Sequence, residues 1–182
     1  TLMQTLERFR LGTSSPEDIV RVQQLLTLAC GGYSANDPDT AVQQLWDYDY
    51  FSGGSFGRFH VVRTDSANHP ILGMAHSAWF SDGMRLNSIS VDPGERGHGI
   101  GKRMIGTLAS VAMRRGLEQI WLYAKPDEQM LSFYQRLGFA ALPPSDGRVD
   151  PETESRHVPM AAPVNQILRQ PIEPLPVDPA VI

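Results

Sequence analysis

Val91-Asp92-Pro93-Gly94-Glu95-Arg96-Gly97-His98-Gly99-Ile100-Gly101-Lys102 is the stretch on which the fold turns. Ahead of it, Leu86, Ile89 and Val91 mark an apolar strand. Behind it, Ile100, Met104, Ile105, Leu108, Ala109 and Ala112 recur at helical spacing. A glycine-rich turn between strand and helix bares main-chain N–H groups, and these amides with the helix N-terminus suit an anionic phosphate. Gly97, Gly99 and Gly101, at alternate positions, put no Cβ between the backbone and a ligand. Arg96 stands at the mouth and can pair with phosphate oxygens.

Two familiar phosphate loops do not fit. A P-loop needs G-x-x-x-x-G-K-[ST], but the residue five before Gly101 is Arg96, and Lys102 is followed by Arg103. A dinucleotide fingerprint needs G-x-G-x-x-G; counted from Gly97 the sixth residue is Lys102, and from Gly99 it is Met104. Both failures count against a nucleotide-binding protein. Arg96-Gly97-His98-Gly99-Ile100-Gly101 instead resembles the acyl-CoA pyrophosphate loop of the GNAT N-acetyltransferase superfamily, R/Q-x-x-G-x-G/A. Downstream, Asp127-Glu128-Gln129-Met130-Leu131-Ser132-Phe133-Tyr134-Gln135-Arg136-Leu137-Gly138-Phe139 resembles the second signature of that family, N-x-x-A-x-x-F/Y-Y-x-x-x-G-F. Asp127 stands where the family has Asn, and Met130 where it has a small residue, which puts the usual contact of that Asn with the cofactor in question. The resemblance spans residues 6–162, with its specific residues between 86 and 139.

The resemblance implies an α+β domain over residues 1–162, with a mixed central sheet of about six to seven strands flanked by about four helices. Residues 163–182, with five prolines and few charges, then form a tail. They read as a solvated extended segment, or as one that docks on its own domain. The resemblance further implies acetyl-CoA as cosubstrate and direct acetyl transfer to an amine. CoA would contact Ile89, Ser90 and Val91 on the strand, residues 96–102 in the loop (Arg96, Gly97, His98, Gly99, Ile100, Gly101, Lys102), and Asp127 and Tyr134. In such proteins the strands on either side of the loop helix splay apart to admit the pantetheine arm; no residue here announces that splay. Dimers are common in the family, which leaves a homodimer open.

Tyr134 is the expected general acid, because a phenol is neutral at pH 7 and can protonate a departing thiolate; its alternative is a core tyrosine beside Phe133 and Phe139. For the base, many relatives carry Glu on the strand before the glycine loop, but Arg85-Leu86-Asn87-Ser88-Ile89-Ser90-Val91 has no carboxylate. His76 on the preceding strand has a suitable intrinsic range. Alternatively it is structural, and Asn87, Ser88 and Ser90 hold a water that passes the proton outward. His98 reads as an exposed loop residue rather than a base. No Ser-His or Cys-His motif demands a covalent intermediate.

The remainder of the chain agrees with this layout. Leu6 to Leu11 alternates as a strand. Ser15-Pro16-Glu17-Asp18 is a helix start, and Gly31-Gly32 ends that helix. A second helix begins near Asn36-Asp37-Pro38 and runs into Trp46-Asp47-Tyr48-Asp49 and Tyr50-Phe51. Interleaved rings and acids suit a cationic amine, so Trp46, Asp47, Tyr48 and Asp49 are the candidate acceptor residues; the alternative is a solvated helix end with aromatics in the core. Strands follow at Arg58–Arg63, Ile71–Phe80 and Arg85–Val91, with a turn at Thr64–Pro70 and an Asp82-Gly83 hairpin. Next come Leu117–Ala124, a helix capped by Asp127, a short strand at Ala140–Leu142, a polar loop at Pro143–Glu154, and a closing strand at Arg156–Met160. Pro159 would confine that last strand to an edge or a bulge.

Composition bounds the rest. The chain has 182 residues and a formal net charge of −4, which disfavours nucleic acid as a partner and suits a cationic substrate. The single Cys30 excludes an internal disulfide and a multi-cysteine metal site; no metal is expected. No apolar run reaches membrane-spanning length and no signal peptide is evident, so a cytoplasmic protein without membrane contact is expected. The rival function is a non-catalytic acyl-CoA sensor or scaffold with the same fold.

Overall fold

The computed structural model describes residues 3–65, 71–150 and 156–177. Seven strands form one sheet: β1 (Gln4–Phe9), β2 (Gly57–Thr64), β3 (Ile71–Trp79), β4 (Gly83–Val91), β5 (Gln119–Ala124), β6 (Ala140–Ala141) and β7 (Val158–Pro163). Their order is β1-β2-β3-β4-β5-β7-β6. Among the described residues five α-helices accompany them: α1 (Pro16–Cys30), α2 (Pro38–Gly53), α3 (Ile100–Arg114), α4 (Glu128–Arg136) and α5 (Val164–Leu168). The strand count matches the expectation, and α5 is a helix beyond the expected four. Among the described residues no helix is long and apolar enough to cross a membrane.

Local chemistry explains the helix starts. Ser15 accepts from Asp18 N and Asp37 from Thr40 N, each followed by Pro at the first helical position. Asp127 accepts from Met130 N at 3.0 Å and so caps α4, as the sequence suggests. Helix α3 has no side-chain cap; its start is Gly99 in the left-handed region, φ +78°.

The sheet separates two cores. On one face, α3 buries Met104, Ile105, Leu108, Ala109 and Ala112 against Leu86, Ile120, Leu122 and Met160. On the other, α1 and α2 bury Val22, Leu25, Leu26, Ala41 and Leu45 against Phe59, Val61 and Met74. Buried apolar side chains such as these each contribute roughly 1.5–3 kcal/mol. Arg63 on β2 ties Glu7 on β1 to Asp18 at the start of α1.

One sequence expectation changes, and one left open is decided. Strand β7 lies inside the sheet, between β5 and β6, although it contains Pro159. The Pro159 carbonyl accepts from Leu142 N at 2.9 Å, so the missing N–H of the same residue also faces the β6 side. In this register the proline forgoes only the return bond to the Leu142 carbonyl, at the end of the two-residue β6, and its position opposite Tyr123 of β5 needs no N–H. The proline-rich segment, in turn, does not extend into solvent through residue 177. Ile172 packs over Gly106 of α3, where a Cβ would overlap it. Leu175 is buried and its N–H donates to Thr107 Oγ1 at 2.8 Å, and Val177 forms a parallel bridge with Leu6. Apolar residues between the prolines supply this docking. The expected Thr64–Pro70 turn falls largely on residues 66–70, outside the described residues, as does part of the Pro143–Glu154 loop.

Candidate active site

The sheet parts at one place. Strands β4 and β5 run parallel, paired from Gly83↔Gln119 to Leu86↔Leu122 and no further. Beyond Leu86, β4 continues with β3 as far as Val91, while Tyr123 and Ala124 of β5 continue with β7. Among the described residues the β5-facing edge of β4 between 87 and 91 therefore has no strand partner, and its main-chain groups are open to another hydrogen-bonding chain. This is the splay that the sequence could not announce.

A β-bulge marks the parting. His76 pairs with Ser88 and Ser77 with Leu86, which leaves Asn87 as the extra residue of β4. A bulge of this kind re-aims side chains and ends regular pairing, often beside active sites. Consequently Asn87 reaches His76 on the α2 face, while Ile89 and Val91 pack toward the α3 core. Ser88 and Ser90 are each 7% exposed; the Ser88 hydroxyl faces the Tyr48 phenol, and that of Ser90 has no hydrogen-bond partner among the described residues.

The glycine loop closes the open end of this gap. Asp92 accepts from Gly94 N at 2.8 Å and is held by Arg21 of α1, which also donates to the Ile71 carbonyl. A short 3-10 turn, Pro93–Glu95, leads to Arg96, Gly97, His98 and Gly99, all exposed. Gly97 and Gly99 have φ of +84° and +78°, a backbone region that L side chains rarely adopt. Ile100 is buried and anchors the helix, whereas Gly101 and Lys102 are half-buried. With no side-chain cap, the first-turn N–H groups of α3 keep their donor capacity beside the positive end of the helix dipole. A Cβ on Gly101 would make only ordinary contact with Phe133 and Val91, so that glycine is not demanded by the fold's own packing. His98 lies 3.5 Å from Glu95 and is exposed.

Tyr134 is 6% exposed, between Phe133 and Phe139, with ring centroids 5.2 Å and 5.6 Å away. Among the described residues its hydroxyl makes no hydrogen bond. Burial pushes the phenol up to about 12, so it holds its proton across the neutral range. Asp127 spends its carboxylate on the α4 cap.

The acceptor candidates divide. Trp46 and Asp47 lie on the outer face of α2, where Asp47 accepts from Gln43 Nε2 at 2.9 Å. Tyr48 and Asp49 turn inward. The Tyr48 ring meets His76 edge-on at 5.0 Å, and its hydroxyl lies beside Cys30, 3.6 Å from Sγ. Burial, then the neighbouring Cys30, raises the Tyr48 phenol. Asp49 Oδ1 lies 2.7 Å from His76 Nε2; the imidazole is fully buried, while the carboxylate is 22% exposed. Thus the structure joins Asp49 and Tyr48 to His76, and adds Asn87 and the Ser52 carbonyl, which sequence reading did not assign to a site together. An unopposed Asn in a strand leaves no periodic signal; only the register exposes it.

A sheet that parts after a parallel pair, a glycine loop into an uncapped helix, and a buried tyrosine on the following helix define the acyl-CoA N-acyltransferase architecture. The chain belongs to the GNAT acetyltransferase family, whose model matches residues 22–139. Over 55 residues it is 42% identical to histone acetyltransferase TAP1 of Glycine max, covering 30% of this chain and 23% of that protein. Over 83 residues it is 31% identical to streptothricin acetyltransferase of Streptomyces lavendulae, covering 45% of this chain and 43% of that one. The chain therefore spans less than half the length of each of these curated relatives. A GNAT acetyltransferase of Elizabethkingia anophelis, solved with acetyl-CoA bound, shares the fold: TM-score 0.58, 16% identity, 88% of this chain and 97% of that one.

Proposed function

We propose that the protein transfers an acetyl group directly from acetyl-CoA to the primary amine of a small cationic acceptor. The observation that carries this reading is the unpartnered edge of β4 from Asn87 to Val91, which runs straight into the glycine loop. A phosphate-bearing head on the loop amides and an extended amide-bearing arm along the β4 edge would satisfy both sets of donors. The loop contacts then fall to Arg96, Gly97, His98, Gly99, Ile100, Gly101 and Lys102, and the strand contacts to the main chain of Ile89, Ser90 and Val91. Asp127, committed to its cap, would contribute little to cofactor binding.

In the transfer the acceptor's neutral nitrogen attacks the thioester carbonyl. The N–C bond forms, the C–S bond breaks, the sulfur takes a proton and the nitrogen loses one. Tyr134 supplies the proton to sulfur, since its phenol is protonated and not otherwise bonded among the described residues. A main-chain N–H on the open edge of β4 can steady the developing oxyanion. Asp49, between the exposed aromatics of α2 and the buried His76, offers negative charge to an incoming ammonium. Both ring nitrogens of His76 are occupied, so the acceptor's proton more readily leaves through water held by Ser88 and Ser90, and the Ser90 hydroxyl has no partner among the described residues.

A thiol-release screen with acetyl-CoA across polyamines, aminoglycoside-like amines, amino acids and peptides tests this. Release with a small polycation is expected. Tight acetyl-CoA binding without release from any amine would instead indicate a sensor.

A further inference from the structure

The cluster beneath Asp49 fixes more than a contact. Asn87 Oδ1 accepts from Arg85 Nε at 2.7 Å, and Asn87 Nδ2 donates to the Ser52 carbonyl at 3.1 Å. A guanidinium can only donate and a carbonyl can only accept, so these two partners allow a single orientation of the amide. The second N–H on Nδ2 then points at His76 Nδ1, 3.0 Å away. That ring nitrogen must accept, which places the imidazole proton on Nε2, facing Asp49 Oδ1 at 2.7 Å. The ring cannot swing out of this line. Phe59 packs against it at 4.6 Å, Tyr48 at 5.0 Å, and Gly53 and Gly57 bring bare backbone to its Nε2 side.

We infer that Asn87 is a positioning residue for the acceptor site: by holding His76 with its proton on Nε2, it locks the Asp49 carboxylate in one orientation and leaves the second oxygen for the acceptor's ammonium. This rests on the transfer reading above. One direction of hydrogen bonding runs from Arg85 through Asn87 and His76 to Asp49. Each link donates toward the carboxylate, so charge at the pocket wall is held without a buried cation touching it. Geometry of this kind, fixed by a supporting shell, is what turns a nearby carboxylate into a selective one.

Two measurements test it. Long-range nitrogen–proton correlation spectra of the 15N-labelled wild-type protein should show His76 with bare Nδ1 and protonated Nε2; the opposite tautomer overturns the inference. Asn87→Leu takes the donor away from Nδ1 while keeping the bulk, so the ring is free to adopt the other tautomer, and with its proton on Nδ1 it no longer donates to Asp49. The KM for the amine should then rise about tenfold or more, the loss of one charge-assisted hydrogen bond, with the KM for acetyl-CoA unchanged. An unchanged amine KM, or equal rises in both KM values, also overturns it. If no amine supports thiol release at all, the transfer reading fails, and the wild-type spectrum still decides whether Asn87 fixes the ring.

Discussion

Gly57 and Asp49 are in such close apposition that a Cβ on the glycine would overlap Oδ1 of the carboxylate, and would stand 3.1 Å from Nε2 of His76. The start of β2 thus closes the pocket against the end of α2, and the Asp49–His76 pair depends on a bare backbone. Gly57→Ala should displace Asp49. We expect a raised KM for the amine with little change for acetyl-CoA, and a stability loss of about 1–3 kcal/mol from overpacking. Steady-state kinetics beside a denaturant melt would check both.

The glycine loop makes a separate prediction. Saturating acetyl-CoA at a hundred times its Kd should stabilise the protein by about 2.7 kcal/mol, visible as a rise in Tm. Gly99→Glu should remove that rise, since the side chain meets a left-handed φ and brings negative charge to a phosphate site. The comparison is of the ligand-induced shift, because the variant's own Tm will already be lower.

For Tyr134, the phenylalanine variant should lower kcat by roughly 10²–10⁴-fold, the range of a lost general acid, while the affinity for acetyl-CoA holds. Its titration also links to stability. The folded phenol lies near 12 and the unfolded one near its ordinary 10, so the folded state favours the protonated form. That contribution is complete below pH about 10 and is lost as pH climbs toward 12. Tyr134→Phe should therefore flatten the alkaline fall in stability, although Tyr48, raised in the same direction, keeps part of it. Melts between pH 9 and 12, a window set by those two values, read this directly.

The docked C-terminal segment should matter to the fold. Leu175→Ala should cost about 2–5 kcal/mol, and Thr107→Val about 1 kcal/mol through the lost bond to the Leu175 N–H. Chemical denaturation of the two variants checks this.

The sequence made the layered architecture, most strand positions and the α1, α2 and α4 caps legible, because periodicity and capping chemistry are local. The glycine loop could be recognised from residues 96–101 alone. The parting of β4 from β5 could not, since it is a statement about which backbone groups go unpaired. The Asn87 bulge was hidden for the same reason: Asn87 and Ser88 are ordinary strand residues until their partners on β3 are known. Trp46 and Tyr48 look alike in an alternating run, yet helical geometry sends one outward and the other onto His76. The prolines after Met160 left solvent and docking both open; Ile172 and Leu175 find α3, and Val177 finds Leu6, across distances in sequence that no local pattern reports.

The most direct measurement is a crystal structure of the protein with coenzyme A. Its diphosphate should rest on the main-chain amides of residues 97–102, its pantetheine should hydrogen-bond to β4 beyond Asn87, and its sulfur should lie beside the Tyr134 hydroxyl. A coenzyme bound on another face of the sheet, or a sulfur remote from that hydroxyl, would contradict this.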